Sequence, residues 1–368
     1  MNIGVVKEIV NNEFRVGLTP TNVAEFINNG HEVFVEKDAG LNSGFDDEEY
    51  RENGAVIKET AKEVWEKADL LIKVKEPQNS EYKYFRENQT VFGFLHLAAH
   101  KDLTQSLLKA KTNAIAFETV TKSDGSLPCL EPMSIIAGRL SAVLGAQYLM
   151  KTKGGSGKLI SGIPGVDQAK VSIVGAGNVG VNALKLLVGL GANVTILDVN
   201  LSKLSELDAL YGNKVTTLFS NSKNLEKSIS NSDLVIGAIS LKGEKAPKLI
   251  KRKYYKNMRK GSVIIDVAID QGGSTEVSRP TSHDNPTFVV DGIIHYCVPN
   301  IPGSVPLTAT EGLNNAIMKY ALIIANEGIE KAVNKYDEIR TGANIINGKI
   351  VNKAVATSLN MVYNGITN

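Results

Sequence analysis

The stretch VSIVGAGNVGVNALKLLVGLGANVTILDVN, residues 171–200, contains the pattern that decides the fold. A short apolar run is followed at once by Gly175, Gly177 and Gly180, in the spacing G-x-G-x-x-G, and then by an amphipathic helical run. A second apolar run ends at Asp198, about twenty residues past the glycines. Three glycines alone are weak evidence, since they also occur in ordinary turns. Strand, glycines, helix, strand and acid in this order are far more specific.

The glycine turn has the features that binding a dinucleotide requires. Gly175 permits the tight turn, Gly177 lets the backbone approach a pyrophosphate, and Gly180 lets the helix pack on the strand. The start of the helix supplies free N–H groups and a positive dipole end. Asp198 should accept hydrogen bonds from an adenosine ribose and repel a 2′-phosphate, which predicts NAD rather than NADP. Lys203 lies close enough in sequence to weaken that preference.

Alternating apolar and helical runs continue beyond the glycine turn, as expected of a doubly wound sheet. The strand-like runs are KVSIVGAG, NVTILDVN, KVTTLFS, DLVIGAI, SVIIDVAID and TFVVDGI. Ligands on such sheets lie outside the carboxyl ends of the strands, although each residue there also suits a routine turn. The strand-end residues that we predict to line the cofactor site are Ser220, Ile239, Ser240, Val267, Ala268, Ile269 and Asp270.

The first part of the chain shows the same alternation, in the runs IGVV, EVFVE, AVI, LLIKV, VFGFLHL and AIAFETV. Between them, TPTNVAEFINNG is typical of a helix, because Thr19 or Thr21 can cap it, Pro20 suits its first turn and Gly30 can end it. A longer helical pattern covers residues 131–150. The rhythm therefore predicts a second set of parallel strands joined by crossover helices.

The sequence predicts an α/β protein with two doubly wound Rossmann-like domains and a cleft between them. After the proline-rich VPNIPGSVPLTATEGL the pattern turns helical, and we expect this tail to return to the first domain. The predicted discontinuous domain comprises residues 1–128 plus 305–368, and the predicted NAD-binding domain comprises residues 129–304.

Composition excludes several classes of protein. Forty-one basic and 39 acidic residues give a formal charge of +2, far from the concentrated basic surface that nucleic acid requires. Cys129 and Cys297 form no spaced framework, which predicts reduced thiols. Lys7, Glu8 and Glu13 argue against a signal peptide, and no apolar run approaches the roughly 18 residues of a membrane helix. We therefore expect a cytoplasmic protein.

Motifs along essentially the whole chain resemble those of the bacterial alanine dehydrogenase family, which shares its fold with the NAD-binding subunit of proton-translocating transhydrogenase. They are KEIVNNEFRVGLTP, KVKEP, FLHLAAH, EPMSIIAGRL, GIPGV, VGAGNVG, DVAIDQGG and VPNIPGSVP. The resemblance implies that L-alanine, NAD⁺ and water are converted reversibly to pyruvate, ammonium and NADH. It also implies a homohexamer, and a first domain that binds the substrate and carries the catalysis.

By the same resemblance, Arg15 in EFRVGLTP and Lys75 in KVKEP hold the substrate carboxylate. Arginine offers a planar pair of donors and lysine a point charge, and both suit a small carboxylate. Taken alone, Arg15 is better interpreted as a surface ion pair with Glu13, and Lys75 as a solvated strand end beside Glu76.

His96 in FLHLAAH resembles the acid/base histidine of the family, and the ordinary pKa of imidazole, about 6.5, suits proton transfer. The alternatives are a histidine bonded to backbone, or half a zinc site with His100, for which no further ligands are evident. Asp270 resembles the second catalytic residue, where a carboxylate would steady a developing iminium charge. Asp266, four residues earlier on the same strand face, competes with Asp270.

Further contacts are implied by the resemblance alone. Met133 would touch the substrate methyl group, and Asn300 would lie beside substrate and nicotinamide. The remaining implied cofactor contacts are Ser134, Asn178, Val179, Arg279 and Val298. Two other functions stay open: a soluble NAD(H)-binding transhydrogenase subunit, and a dehydrogenase of a larger amino acid such as a saccharopine-type enzyme. The joint presence of Arg15, Lys75, His96 and Asp270 favours the alanine enzyme.

Overall fold

The computed structural model describes residues 1–239 and 245–366, and the chain divides into two compact units. Unit 1 comprises Met1–Met133 and Gly303–Asn368, and unit 2 comprises Ser134–Pro302. Ser240, predicted to contact the cofactor, lies outside the described residues. Among the residues described, no helix is long and apolar enough to cross a membrane.

The strands are short and mostly buried along their whole length, as is typical of parallel sheets covered on both faces. In chain order they are β1 (Asn2–Val5), β2 (Glu32–Glu36), β3 (Val56–Lys58), β4 (Leu70–Ile72), β5 (Thr90–Gly93), β6 (Asn113–Ala116), β7 (Lys170–Val174), β8 (Asn193–Asp198), β9 (Val215–Phe219), β10 (Leu234–Gly237), β11 (Val263–Asp266), β12 (Thr287–Val290), β13 (Ile293–Tyr296), β14 (Ala343–Ile346) and β15 (Lys349–Ile350).

The helices join these strands, and several of them begin at a residue whose side chain accepts a hydrogen bond from an N–H of the first turn. They are α1 (Pro20–Asn28), α2 (Asp47–Glu52), α3 (Ala61–Lys67), α4 (Lys101–Ala110), α5 (Glu131–Tyr148), α6 (Asn178–Gly189), α7 (Leu201–Tyr211), α8 (Ser222–Ser230), α9 (Pro306–Glu327), α10 (Ile329–Lys335), α11 (Asp337–Gly342) and α12 (Lys353–Leu359). In α1 the Thr19 hydroxyl accepts a hydrogen bond from the Asn22 N–H, so Thr19 rather than Thr21 is the cap.

Within the described residues the strands form two sheets. The sheet of unit 1 has the order β15-β14-β6-β5-β4-β1-β2-β3, with parallel pairing from β6 to β3 and antiparallel pairing of β14 with both β6 and β15. The sheet of unit 2 has the order β12-β13-β11-β10-β7-β8-β9, with only β12 antiparallel. The predicted class of two doubly wound α/β folds is confirmed.

Each sheet reverses its strand order at one place, which we call the switch point. In unit 1 the switch point lies between β1 and β4, and in unit 2 it lies between β7 and β10. Loops leave the carboxyl ends of those neighbouring strands in opposite directions, which opens a crevice for a ligand. The two switch points are therefore the places where ligand sites are expected.

Several local predictions need correction. The run SVIIDVAID is a strand only to Asp266, and residues 267–271 form a 3₁₀ turn, so the argument that Asp266 and Asp270 share a strand face is wrong. The helical run predicted for the tail is present as α9 and α10, and beyond it the strands β14 and β15, which the sequence did not indicate, extend the sheet of unit 1. β4 ends at Ile72 and β5 at Gly93, which leaves Lys75 and His96 in the loops beyond them.

Candidate active site

The loop after β1 crosses the carboxyl end of β4 at the switch point of unit 1. A Cβ added to Gly17 would lie 2.3 Å from the carbonyl oxygen of Ile72, so only glycine permits this approach. The Glu8 carboxylate contacts the same segment, since its Oε1 accepts hydrogen bonds from the N–H of Val74 at 2.6 Å and of Lys75 at 3.3 Å. The loop that carries Arg15 is thereby held beside the segment that carries Lys75.

Arg15 is buried and ion-paired. Its Nε donates to Glu13 Oε1 at 2.7 Å and its Nη2 to Glu13 Oε2 at 2.6 Å, and only 2% of the arginine side chain is exposed. Its Nη1 lies 3.0 Å from the sulfur of Met133. The pair with Glu13 exists, but it is buried rather than on the surface, and the two-pronged contact fixes the plane of the guanidinium.

Lys73 is also buried and compensated by carboxylates. Its Nζ lies 3.2 Å from both Glu8 Oε2 and Glu81 Oε1, and none of its side chain is exposed. Burial lowers the pKa of Lys73, but Glu8 and Glu81 outweigh burial and the net direction is upward. Lys73 therefore stays protonated and is occupied by its own partners.

Lys75 differs from Lys73 although the two are separated by a single residue. It is half-buried, and within the part of the chain that the structure describes its ammonium forms no ion pair. A partly dehydrated cation without a carboxylate partner favours an anionic ligand. The arrangement fits the predicted carboxylate contact, whose role stays a prediction.

His96 follows β5 and has a left-handed backbone, with φ of 46°. Its N–H donates to Glu118 Oε1 at 2.7 Å, and its Nδ1 lies 3.9 Å from the same oxygen. Phe94 stacks on the imidazole with ring centroids 6.1 Å apart. With 43% of its side chain exposed, the imidazole lies near the Glu118 carboxylate on one side and is accessible on the other.

A zinc site at His96 and His100 has no support in the geometry. The Nε2 of His100 lies 4.0 Å from Glu76 Oε1, away from the partner of His96. In the described ranges, no group of three or more His, Cys, Asp or Glu side chains is arranged to hold a metal ion. The described residues thus offer His96 and His100 no third ligand for a metal ion.

The glycine turn of unit 2 has the geometry that a dinucleotide needs. Gly175 has φ of 109°, and a Cβ added there would lie 2.5 Å from the carbonyl oxygen of Ala238. A Cβ on Gly180 would lie 1.9 Å from the oxygen of Gly175, whereas one on Gly177 would meet no atom within 4 Å. Gly177 precedes α6 and gives no side-chain cap, so the first N–H groups of α6 remain available for phosphate.

Asp198, at the end of β8, is oriented toward that turn. Its Oδ2 accepts from the N–H of Ala176 at 2.6 Å and its Oδ1 from the N–H of Asn200 at 2.8 Å. Each oxygen keeps a further lone pair for a ribose hydroxyl. Lys203 pairs with Glu206 at 2.9 Å, and both side chains are largely exposed.

A buried hydroxyl next to Asp198 also fits a nucleotide. The Ser220 N–H donates to the carbonyl oxygen of Asp198 at 2.9 Å, while the Ser220 hydroxyl is buried and has no hydrogen-bond partner among the described residues. A buried hydroxyl without a hydrogen bond costs free energy, unless a ligand or a water molecule supplies the missing partner. Together with the glycine turn and Asp198, it shows that these residues suit NAD.

Hydrogen bonding and exposure distinguish the two competing candidates, Asp266 and Asp270. Asp266 is fully buried and accepts from the N–H and hydroxyl of Ser274, at 2.8 Å each, and from the Ser278 hydroxyl. Its lone pairs hold the turn that follows β11. Asp270 is exposed on that turn, where it can reach a ligand, and its catalytic role stays a prediction.

The other predicted contacts fall into two groups. Three have buried side chains, which leaves only their backbone for a ligand: Ala268, Ile269 and Val298. The others are at least partly exposed: Ser134 on α5, Asn178 and Val179 at the start of α6, Ile239 after β10, Val267, Arg279, whose guanidinium lies 4.5 Å from the ring centre of Phe288, and Asn300, with φ of 58°.

Sequence reasoning missed the carboxylates that organise the site of unit 1. Glu8, Glu13, Glu81 and Glu118 bond to backbone or cations across long sequence separations or in irregular loops. Only Glu13 gave a signal in the sequence, through its separation of two residues from Arg15. The others belong to no periodic pattern, so only the folded chain reveals their contacts.

The fold and these sites define a class of α/β protein that combines a dinucleotide-binding turn with a buried cationic site. Comparison with known proteins specifies it further. Sequence models of the family called "Alanine dehydrogenase/PNT" match residues 4–137 with the N-terminal domain and residues 141–353 with the C-terminal domain. The chain belongs to the alanine dehydrogenase/PNT family, and the resemblance found in the motifs is confirmed.

Individual relatives are similar over their full length. An alanine dehydrogenase of Methanococcus maripaludis is 53% identical, with 99% of this chain and 98% of that protein covered. One of Staphylococcus epidermidis is 49% identical, with 100% and 99% covered. A solved structure named L-alanine dehydrogenase has a TM-score of 0.95 and 46% identity, covering 98% of this chain and 99% of its own. A transhydrogenase from Sinorhizobium meliloti, with a TM-score of 0.81, 23% identity and 96% and 100% covered, shows the fold alone.

Proposed function

We propose that this protein is an NAD-dependent alanine dehydrogenase that converts L-alanine and water to pyruvate and ammonium, reversibly. One observation carries the proposal: alanine dehydrogenases match the chain from end to end at about half of all positions. Two features support it. Lys75, which forms no ion pair among the described residues, suits a small carboxylate, and the glycine turn of unit 2 suits a dinucleotide.

The substrate is bound through its carboxylate. Arg15 and Lys75 contact the two carboxylate oxygens, and Met133, whose sulfur already contacts Arg15, packs against the methyl group. Glu13 keeps the guanidinium in one plane, so little side-chain entropy is lost when alanine binds. In this arrangement the cations contact only the carboxylate end of the alanine zwitterion. Asn300 lies beside the α-carbon.

NAD⁺, when bound, would accept the hydride from the α-carbon of the substrate. The chain contributes the binding surface, with Gly177 admitting the pyrophosphate, the start of α6 donating N–H groups to it, and Asp198 accepting from the ribose. The Ser220 hydroxyl finds a partner in the bound nucleotide. These contacts favour NAD over NADP.

Protons are moved by His96. Its Nδ1 faces Glu118, so its Nε2 is the atom that takes a proton from water as water adds to the iminium carbon. The same Nε2 returns the proton to the amine of the carbinolamine. As the C–N bond breaks, the hydroxyl gives up its proton to the leaving ammonia, so that pyruvate and ammonium are released. Asp270 accepts hydrogen bonds from the amine and steadies the positive charge of the iminium.

Activity tests this directly. Purified protein mixed with L-alanine and NAD⁺ should show growing absorbance of the reduced cofactor, and pyruvate with ammonium should consume it. His96→Ala should lower kcat by about a hundredfold or more. Lys75→Ala should mainly raise the KM for L-alanine. A parent protein inactive with every small L-amino acid refutes the proposal, and parental behaviour of both variants refutes the site.

We further propose a cytoplasmic homohexamer that works in L-alanine catabolism. The hairpin in which Ile163 and Val166 pair exposes apolar side chains, with Ile163 60%, Val166 56% and the nearby Leu159 55% exposed. Such a patch suits contact with a second copy. Mass measured in solution at several concentrations should give six chains, and a monomer would refute the assembly.

A further inference from the structure

Glu8 lies at the centre of a buried network of charges around Lys75. Its Oε1 accepts from the N–H of both Val74 and Lys75, and its Oε2 lies 3.2 Å from Lys73 Nζ. These donors come from consecutive residues after β4, whereas Glu8 belongs to the loop after β1. One carboxylate therefore joins the two strands that flank the switch point of unit 1.

Glu81 continues the network on the other side of Lys75. Its Oε1 lies 3.2 Å from Lys73 Nζ, and its Oε2 accepts from the N–H of Gln78 at 2.8 Å. The backbone is thus bound to a carboxylate three residues after Lys75 as well as at Lys75 itself. Two carboxylates and one ammonium, all buried, restrain the short segment from which the Lys75 side chain extends.

Stability alone is a weak reason for such a network. Burying three ionised groups costs desolvation that their mutual attraction barely offsets, and apolar residues of similar volume stabilise a fold as well or better. The network nevertheless surrounds a cation that has no carboxylate of its own among the described residues. Restraint of that cation is a role that apolar packing of the same volume cannot perform, because it offers no acceptor for the N–H groups.

We propose that Glu8 is a positioning residue: with Lys73 and Glu81 it fixes the backbone of Lys75, so that the Lys75 ammonium meets the substrate carboxylate in one geometry. The inference rests on the proposed function, in which Lys75 binds that carboxylate. Glu8 itself touches no substrate. It acts on affinity for alanine through Lys75, and it has no part in binding NAD.

Glu8→Asp is the main test. Aspartate keeps a negative charge near Lys73 but is one methylene shorter, so its oxygens withdraw from the Val74 and Lys75 N–H groups. We expect the KM for L-alanine and for pyruvate to rise on the order of tenfold or more, with the KM for NAD⁺ unchanged. A KM for L-alanine within twofold of the parent would overturn the inference.

Two comparisons separate positioning from a general loss of structure. Asp69→Asn is the matched control, since Asp69 Oδ2 accepts from the Asn2 N–H at 2.9 Å at the amino ends of the same two strands, and it should leave the KM for L-alanine unchanged. In a Lys75→Ala background, Glu8→Asp should raise that KM no further. Equal effects in both backgrounds would show that Glu8 does not act through Lys75.

The same variants distinguish a failure of the positioning role of Glu8 from a failure of the proposed carboxylate site at Lys75. If Lys75→Ala raises the KM and Glu8→Asp does not, only the positioning role fails. If Lys75→Ala has no effect, the carboxylate site itself is wrong. Should Glu8→Asp not fold, Glu81→Gln replaces it, because an amide oxygen still accepts from Gln78 while Lys73 loses one partner. A raised KM for L-alanine then supports the network, and an unchanged one overturns it.

Discussion

The two switch points occupy the same place in equivalent sheets, yet they are built from different groups. Unit 1 uses charged side chains, with Arg15, Lys73, Glu8, Glu13 and Glu81 all less than a tenth exposed. Unit 2 uses glycines and backbone N–H groups. A small carboxylate is bound best by a few directed charges, whereas a pyrophosphate needs space and several donors. The ligand, more than the topology, determines which groups a switch point uses.

The largest effect should come from breaking a buried pair in unit 1. Glu13→Gln removes the negative charge that lies 2.6 Å from the buried Arg15 guanidinium, and the free energy of unfolding should fall by about 3–5 kcal/mol. Chemical denaturation measures this loss. The double variant Glu13→Leu, Arg15→Met should regain most of the stability while binding alanine poorly. A loss below about 1 kcal/mol in the single variant would mean that the pair is effectively solvated.

Lowering the pH should reduce the stability of unit 2, because this unit contains a histidine that burial keeps neutral. His295 is fully buried between Tyr255 and Phe288, neither ring nitrogen has a hydrogen-bond partner among the described residues, and burial lowers its pKa to about 4. Between pH 6.5 and about 4 the unfolded chain binds the proton more tightly, so stability falls as the pH falls through that window. The loss attributable to His295 should reach about 3 kcal/mol.

Replacement of that histidine isolates its contribution. His295→Phe should unfold at nearly the same temperature at pH 5 and pH 7 apart from the changes caused by other groups, whereas the parent should lose stability at pH 5. Thermal unfolding at the two pH values makes the comparison. An equal dependence on pH in both proteins would show that His295 is accessible to protons in the folded state.

A smaller effect is expected at the switch point of unit 2, where a substitution should weaken cofactor binding without destabilising the fold. Gly177→Ala places a methyl group in open space on an extended backbone, so the fold should keep its stability within about 1 kcal/mol. Affinity for NAD⁺ should fall about tenfold or more, because that space is reserved for pyrophosphate. Fluorescence titration with NADH measures it.

The matched control lies in the same helix. A Cβ on Gly189, at the end of α6, also meets no atom within 4 Å, and Gly189→Ala should stabilise the helix slightly and leave NADH affinity unchanged. Equal affinities for the two alanine variants would contradict the assignment of Gly177 to the pyrophosphate.

The smallest effect should be seen at the surface of unit 2. Glu206→Gln frees Lys203 from an exposed ion pair, which should change stability by less than about 1 kcal/mol. The ratio of kcat/KM for NADP⁺ over NAD⁺ should rise by about twofold to fivefold, since the lysine can then attract a 2′-phosphate. A ratio that does not change would place Lys203 outside the ribose site.

Local pattern predicted the parts of the molecule that local physics determines. The glycine turn, α6, β8 and Asp198 follow one another in the chain, so propensity and spacing were enough to place them. The sequence did not indicate β13, β14 or β15, because the pairing of such short strands depends on tertiary contacts rather than on local pattern. The first residues of the 3₁₀ turn after Asp266 are apolar like those of the strand, so local pattern does not distinguish the turn from the strand.

The same distinction applies to the sites. The resemblance to the family's motifs singled out Lys75 and His96, but the sequence does not show that, among the described residues, Lys73 is ion-paired and Lys75 is not. That difference comes from Glu8 and Glu81, which approach from other loops. The contacts of single side chains across long separations are set by tertiary packing, which no local pattern contains.

The antiparallel pairing of β14 with β6 has a consequence for synthesis on the ribosome. Unit 2 is one continuous segment and can fold as soon as Pro302 has left the exit tunnel. Unit 1 must wait with β6 as an uncovered sheet edge until residues 343–346 emerge. Because exposed edges template aggregation, the nascent chain is most in need of a chaperone during that interval.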